Sequence, residues 1–258
     1  MANYRTSAGR MPLYVDALCH NLNILGDVRA LLTTTEQSGT NLEDVSRRGH
    51  DFTFAIDVST RYGTGGRALR YLGFDGATTY GSTASHADFS LNGGGDVAFS
   101  VIALVNQGAA ETGTVLSKWD ATAAAEDREW LFDVSGGAPR LTIYDETNND
   151  GFNTICNAAL TASTWHLVVI TYDGSAVVTG ITPYVDGLLV AHTDTAAAGA
   201  YASMTAGATD VYLGAHVDTA AATNIYTGYL AWVGITEKEL TANEVWTLWT
   251  RMRYIAGV

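Results

Sequence analysis

The stretch that most constrains the fold runs from residue 165 to residue 190, with the sequence WHLVVITYDGSAVVTGITPYVDGLLV. Its first part is apolar at successive positions, so both faces of an extended strand would be apolar. These faces consist of Trp165, Leu167 and Val169 on one side and Val168, Ile170 and Tyr172 on the other. A strand with one face in water would alternate instead. The pattern therefore predicts a central strand that is covered on both sides.

Two Asp-Gly pairs mark the turns of this stretch. Asp173-Gly174 ends the first strand, and Asp186-Gly187 stands between the apolar runs 183–185 and 188–190. A two-residue primed turn needs positive φ, which Asp and Gly tolerate. The second pair therefore predicts a tight β-hairpin.

Short apolar runs separated by turn residues fill the rest of the 258-residue chain. Further strands are predicted at 97–106, 113–119, 128–134, 140–145, 210–215 and 226–235, with a loop at 60–68 and turns at 135–139 and 150–151. With 47% apolar and 16% charged residues, the chain can bury a sizeable core. Regular spacing without a long helical period predicts an all-β protein, folded as a two-sheet antiparallel β-sandwich.

A short helix is predicted at the C-terminal end, from about residue 242 to residue 254. Thr241 and Glu244 have the spacing of a capping box. The apolar residues that follow at helical spacing on one face are Val245, Leu248, Trp249 and Met252. The sequence therefore predicts an amphipathic helix after the last strand.

Several short motifs follow one another in a defined order. They are Glu36, Ser38-Gly39, Asp44, Ser46, Gly49-His50, Phe74-Asp75-Gly76, Trp165-His166, TYDG at 171–174, YVDG at 184–187 and the Leu-Thr-x-x-Glu start of the helix. In content and order they resemble the laminin-G-like domains of the concanavalin A-like lectin and glucanase superfamily. The matched blocks cover about Val28 to Trp249. The resemblance implies a concanavalin A-like jelly roll, of the kind found in bacteriophage structural proteins.

The first 26 residues do not match this pattern, so we divide the chain into an N-terminal arm (1–26) and a sandwich domain (27–258). Pro12 is suited to open a short helix with Leu18, Leu22 and Leu25 on one face, and an extended arm fits equally well. The arm either docks on a neighbouring subunit or packs on its own domain. Its candidate assembly residues are Tyr4, Arg5, Arg10 and Tyr14.

The net charge and the lack of a long apolar segment limit which partners and which cellular compartment we expect. The net charge of −13 offers no basic stripe for phosphates, so nucleic acid is not an expected partner. The chain shows no apolar segment long enough for a signal peptide or a membrane span. We therefore expect synthesis in the cytoplasm, no membrane insertion, reduced thiols at Cys19 and Cys156, and release by a route such as a virus particle.

Asp127, Glu129 and Asp133 form the sharpest candidate for catalysis. Alternation places them on one face of a strand, and paired carboxylates hydrolyse glycosidic bonds. The glucanases of the resembled superfamily carry Glu-x-Asp-x-x-Glu on such a strand, and the register here differs. A solvated strand face is therefore the favoured interpretation, and we expect no enzyme activity.

The segment Tyr144 to Gly151 is rich in oxygen-bearing side chains. Relatives in the resembled family bind calcium through such groups, which implies a possible Ca²⁺ site at Asp145 and Asp150, with Asn148 and Asn149 nearby. A polar hairpin loop explains the same composition, and this alternative is favoured. Many relatives also carry an Asp in the last strand where this chain has Ala231.

Aromatic side chains are the candidates for contact with sugars, because a flat apolar ring tolerates hydroxyls at its edge. Trp119 and Tyr144 are the best placed, and with Asp145, Asn148, Asn149 and Asp150 they make up the candidate glycan-binding set. The alternative, that each ring belongs to the core, is favoured. The histidines show no paired spacing for zinc, and we interpret His166 as a packed or hydrogen-bonded residue.

Three classes of function follow. The first is a non-catalytic structural or adhesion protein, most concretely a phage-type virion component such as a capsid decoration, head-fibre or tail module. Its partners would be other assembly subunits, a second copy of itself, or a cell-surface polysaccharide. The alternative is a free carbohydrate-binding lectin, either dependent on calcium or independent of it. A glycoside hydrolase is disfavoured.

Overall fold

The computed structural model describes residues 27–34, 39–65 and 69–258. In chain order its strands are β1 (Val28–Thr33), β2 (Asn41–Leu42), β3 (Phe52–Phe54), β4 (Tyr62–Gly65), β5 (Leu69–Asp75), β6 (Gly81–Thr83), β7 (Phe99–Gln107), β8 (Gly113–Asp120), β9 (Asp127–Ser135), β10 (Ala138–Asp145), β11 (Asp150–Cys156), β12 (His166–Tyr172), β13 (Ile181–Val185), β14 (Leu188–Leu189), β15 (His192–Thr195), β16 (Val211–Leu213), β17 (His216–Asp218), β18 (Ala221–Thr223) and β19 (Thr227–Thr236). One helix follows in the described part of the chain, α1 (Ala242–Ala256).

The strands form two sheets that pack face to face, as the sequence predicts. The first sheet has the order β14-β13-β12-β7-β19-β5-β4, with β1 paired to β19. The second has the order β15-β11-β10-β9-β8-β16-β6-β3-β2, and β17 and β18 join it beside β8. Among the described residues the paired strands are antiparallel, apart from the parallel pairing of β17 with β8 at Val217 and Asp120. An isolated parallel bridge also joins Thr114 of β8 to Ile225. The prediction of an antiparallel two-sheet sandwich is confirmed.

Strand β12 lies inside the first sheet, between β7 and β13, and both of its faces are covered. Val168, Ile170 and Tyr172 point into the core between the sheets. Leu167 and Val169 point to the opposite side and pack with apolar residues of α1. The absence of alternation in the sequence therefore reflects a strand with apolar partners on both sides.

Helix α1 covers the outer face of the first sheet. The Thr241 side chain accepts a hydrogen bond from the Glu244 N–H and the Glu244 side chain accepts one from the Thr241 N–H, which forms the predicted capping box. Gly257, with φ of 79°, ends the helix in the left-handed conformation. The buried residues on its apolar face are Val245, Leu248, Met252, Ile255 and Ala256.

The β13–β14 hairpin turns at Asp186 (φ 52°) and Gly187 (φ 81°), as the Asp-Gly pair predicts. Gly187 also meets a packing demand. A Cβ at this position would lie 2.9 Å from the Trp249 Cβ and from the Trp246 ring. The hairpin therefore reaches the helix only because this residue is glycine.

Two local predictions are wrong. Residues 60–68 are not a loop throughout, because Tyr62–Gly65 form β4; residues 66–68 lie outside the described residues. Glycine at position 63 lets the Tyr71 ring lie against the strand, since a Cβ there would be 2.3 Å from the ring. Asp150-Gly151 is not a turn but the start of β11, and the chain reverses before it, where Asn149 has φ of 50°.

Cys156 is a buried free thiol, and its burial raises its pKa to about 11. Cys19 and the whole predicted arm, with Tyr4, Arg5, Arg10 and Tyr14, lie outside the described residues. In the described ranges no helix is long and apolar enough to cross a membrane.

The docking of α1 predicts a measurable stability difference between its two faces. Leu248 is fully buried and Arg251 is exposed. We expect Leu248→Ala to lower the free energy of unfolding by about 2–5 kcal/mol, because it removes a buried side chain and leaves a cavity. The control Arg251→Ala should change it by less than about 0.5 kcal/mol. Urea denaturation of both variants measures this, and equal effects would contradict the packing described.

Candidate functional site

Four neighbouring strands of the second sheet end together at one corner. Asp120 at the end of β8 pairs with Asp127 at the start of β9, and Asp145 at the end of β10 pairs with Asp150 at the start of β11. Because these strands are hydrogen-bonded neighbours, the connection at 146–149 lies near the last residues of β8. This geometry brings Trp119 and Tyr144 together, although 25 positions separate them in the sequence.

The rings of Trp119 and Tyr144 are in edge contact, with centroids 5.4 Å apart and planes at 70°. Both side chains are half-buried, so neither belongs wholly to the core. The Arg128 guanidinium carbon lies 4.1 Å from the Tyr144 ring centroid and 6.0 Å from the Trp119 ring centroid. A cation over an aromatic ring stabilises this arrangement electrostatically. We call Trp119, Arg128 and Tyr144 the aromatic corner.

Arg128 is held in place by hydrogen bonds. Its Nε and Nη2 donate to the two carboxylate oxygens of Glu146, at 2.7 and 2.8 Å. The Asn149 Oδ1 accepts from Arg128 Nη2 at 3.0 Å and from the Tyr144 hydroxyl at 2.7 Å. The Glu146 hydrogen bonds raise the pKa of Arg128. Sequence reasoning identified Tyr144 and Asn149 but missed Arg128 and Glu146.

The other predicted members of the set do not face the aromatic corner. The buried Asp145 carboxylate accepts hydrogen bonds from the N–H and side-chain amide of Asn148, and from the N–H groups of Ala202 and Ser203. Burial raises the pKa of Asp145, but these hydrogen bonds outweigh it and the pKa lies below its usual range. Asp145 thus binds the protein's own backbone, and the Asn148 side chain donates to Asp145.

Asp150 has the same role one strand further along. Its Oδ1 accepts from the N–H groups of Gly151 and Ala198, and its Oδ2 accepts from those of Gly199, Ala200 and Tyr201. The hydrogen bonds from Ala198 and Ala200 lower the pKa of Asp150. The segment that these residues belong to connects β15 to β16.

This segment, residues 196–210, we call the crossover loop. It passes over the strand ends of the second sheet, and every backbone N–H from Ala198 through Met204 and from Gly207 through Thr209 donates to a carboxylate. The acceptors are Asp150, Asp145, Asp96, Glu129 and Asp127. Tyr172 and Tyr201 add hydroxyl hydrogen bonds to Asp96, both at 2.6 Å. The loop is therefore fixed to the sheet through its main chain.

Residues 75–246 match the sequence profile of the concanavalin A-like lectin/glucanases superfamily. The chain belongs to this superfamily. The match covers the central strands, the aromatic corner and the crossover loop. No significant match was found among curated protein sequences.

Several solved structures resemble this fold. The binding domain of Paraclostridial mosquitocidal protein 1 aligns with a TM-score of 0.60 and 11% identity, over 88% of this chain and 52% of that one. Botulinum neurotoxin type C aligns with a TM-score of 0.61 and 13% identity, over 90% of this chain and 53% of that one. Trypanosoma rangeli sialidase aligns with a TM-score of 0.52 and 15% identity, over 88% of this chain and 33% of that one. The chain thus spans about half of the toxin structures and a third of the sialidase, and these likenesses show the fold alone.

The calcium site that the superfamily implies does not fit Asp145 and Asp150. Calcium needs several oxygens with free lone pairs around one point. Here the oxygens of both carboxylates already accept backbone N–H groups, whose partial positive charge would oppose a cation at the same place. These two residues therefore anchor the crossover loop and are not suited to hold the ion.

The interpretation of Asp127, Glu129 and Asp133 as a solvated face is wrong for Glu129 and Asp133, whereas Asp127 is half-buried. Glu129 is fully buried and pairs with the equally buried Lys118 at 2.6 Å, and Asp133 is buried in a bidentate pair with Arg140. The register of β8 and β9 shifts beside Glu129, and the crossover loop then covers this residue. Burial raises the pKa of Glu129, and Lys118 acts in the opposite direction.

The anchoring of the crossover loop predicts that Asp150→Asn loosens it. The amide replaces one acceptor oxygen by an NH₂ group that faces backbone donors, so hydrogen bonds to either Ala198 or Gly199–Tyr201 are lost. We expect faster amide hydrogen exchange across 198–201. Asp218→Asn, at a residue outside this network, is the matched control, and unchanged exchange in both variants would contradict the anchoring.

The same contacts predict acid sensitivity. A carboxylate whose pKa is lowered on folding contributes its full stabilisation when the pH is above the pKa of the unfolded chain, about 3.9. That stabilisation is lost as the pH falls from this value through the lower pKa of the folded chain. The pKa values of Asp145 and Asp150 are both lowered. Wild type should therefore lose more stability on acidification below about pH 4 than Asp150→Asn does.

Proposed function

We propose that this chain is a non-catalytic, lectin-like domain that binds carbohydrate at the aromatic corner. The observation that carries the proposal is the half-exposed pair Trp119 and Tyr144, fixed in edge contact beside oriented polar groups. An aromatic face stacks against the C–H face of a sugar ring, and planar polar groups at its rim hydrogen-bond the hydroxyls. Arg128, Glu146 and Asn149 provide such groups.

The charges at the corner favour a neutral glycan. The Arg128 charge is compensated by Glu146 through two hydrogen bonds, and the exposed Glu126 lies close enough to Arg128 to raise its pKa. The chain as a whole carries a net charge of −13. An acidic sugar would meet repulsion here, whereas hydroxyl groups find both donors and acceptors.

Two further considerations support a binding role without catalysis. The superfamily fold is shared with botulinum neurotoxin type C, whose passage into cells depends on two ganglioside molecules. The carboxylates that most resemble a hydrolase pair are engaged in structural contacts, Glu129 with Lys118 and Asp133 with Arg140. A glycosidase needs two carboxyl groups that reach the scissile bond.

Tyr144→Ala should weaken glycan binding, because it removes the ring that both Trp119 and Arg128 contact. We expect a loss of about 1–2 kcal/mol, or roughly 5–30-fold in affinity, for the glycan that wild type selects on an array. Titration calorimetry measures this loss. Tyr229→Ala, which removes a 44% exposed tyrosine on the first sheet, is the control. Equal binding by both variants, or turnover of the glycan by wild type, would overturn the proposal.

A second function, assembly into a larger particle, is favoured by an exposed apolar patch. Leu188 and Leu189 on the edge strand β14 are 61% and 63% exposed, and Trp246 beside the same hairpin is 44% exposed. Unpaired apolar edge strands are contact surfaces. On this basis we propose that the chain assembles with other subunits, alone or in addition to glycan binding. That the assembly is a phage-type virion whose subunits are made in the cytoplasm rests on the sequence resemblance.

Light scattering tests the assembly role. We expect a defined oligomer for the full chain and a monomer after deletion of residues 1–26, with unchanged circular dichroism. The variant Leu188→Glu, Leu189→Glu is measured in parallel, because loss of the oligomer only there would assign the contact to the patch instead of the arm. A monomeric full chain at high concentration would contradict this function.

A further inference from the structure

The fold brings together two histidines and an aspartate that the sequence spacing does not connect. Among the described residues, His50, His86 and Asp88 have ligand atoms within 4.8 Å of one another. The His50 Nε2 lies 2.9 Å and the His86 Nδ1 3.5 Å from the Asp88 Oδ2. Residue 50 precedes β3, whereas residues 86 and 88 flank the start of the single turn 87–89 that follows β6.

We propose that His50, His86 and Asp88 bind a zinc ion. Imidazole nitrogen and carboxylate oxygen are ligands that zinc prefers, at about 2.0–2.2 Å from the metal. In a tetrahedral site the ligand atoms then lie about 3.3 Å apart, which the distances of 2.9 and 3.5 Å bracket. Three protein ligands leave the fourth position to water or to a ligand group from outside.

The surroundings hold two of the ligands in place. The His50 ring is buried and packs against Phe89, with centroids 4.7 Å apart. Asp88 Oδ1 accepts from Arg48 Nη1 at 3.0 Å, which leaves Oδ2 directed at the histidines. Arg48 is itself fixed by a hydrogen bond from Nε to the Val28 carbonyl. Partners of this kind orient metal ligands.

The third ligand gives the metal access. The His86 side chain is 56% exposed, so rotation of this residue closes the remaining span without repacking the core. Binding through the present nitrogens replaces two hydrogen bonds, the one between His50 Nε2 and Asp88 and the one from the Asp88 N–H to His86 Nδ1. Metal binding through Nε2 requires the His50 proton on Nδ1.

Two arginines set the strength of the site. Arg48 pairs with Asp88, and Arg29 Nη1 lies 3.7 Å from the same carboxylate. Their positive charge opposes a divalent cation, and the Glu237 carboxylate paired with Arg29 offsets part of it. We therefore expect weaker binding than at a structural zinc site with four protein ligands. Calcium, which prefers oxygen ligands, should not bind here.

Titration calorimetry of the metal-free full chain with zinc chloride tests the proposal. Wild type should bind one zinc ion, and its melting temperature should rise with zinc because the ion binds only the folded chain. His86→Ala, at an exposed position, should weaken binding at least about tenfold. The control His192→Ala removes a histidine outside the cluster and should leave binding unchanged.

The outcomes separate the site from other causes. A wild-type chain that shows no heat and no melting shift at millimolar zinc would overturn the proposal. Equal affinity of wild type and His86→Ala would assign the zinc to other groups and overturn it as well. Asp88→Asn serves as a second variant, with circular dichroism as a check on folding because Asp88 also pairs with Arg48. Calcium chloride in the same cell provides the metal control.

Discussion

The crossover loop illustrates the constraint on which the end of this sandwich depends. A segment without regular hydrogen-bonded structure must still satisfy its buried N–H groups, or lose free energy for each one. Here the acceptors are carboxylates at the ends of adjacent strands, above all Asp145 and Asp150. Because the same residues pair β10 with β11, the loop and the sheet fix each other. The aromatic corner is positioned at this junction.

This arrangement gives many of the acidic side chains a structural role that the composition alone does not indicate. An excess of Asp and Glu suggests solubility or calcium binding when only the sequence is considered. In the fold, a part of that charge accepts main-chain hydrogen bonds, and another part is paired with Lys118, Arg128 or Arg140. Charged groups thus hold the aromatic corner in place. The contacts proposed for the glycan are nevertheless two aromatic rings and the Arg128–Glu146 pair, whose charges cancel.

The predictable features were those with a local cause. The apolar faces of β12, the Asp186-Gly187 turn and the Thr241 cap each follow from a few neighbouring residues, and the structure confirms them. The place of Arg128 was not predictable in this way, because counting back along the β9–β10 register from Ile143 and Trp130 brings residue 129, and not residue 128, opposite Tyr144. The burial of Glu129 was not predictable either, because it depends on a loop far along the chain. The meeting of the two zinc-site histidines has the same origin, since sequence spacing contains no information about sheet order.

The crossover loop is attached through main-chain atoms, and this has an evolutionary consequence. Most of its anchoring groups would be the same for nearly any amino acid, because every residue except proline has an N–H. The side chains of Ala198, Ala200 and Ala202 contribute little to the attachment. Substitutions at these exposed alanines are therefore tolerated as long as the acidic residues on the strands remain, whereas Met204 is buried in the core and Gly207 leaves no room for a Cβ. Related proteins can diversify the surface next to the aromatic corner without rebuilding the sandwich beneath it.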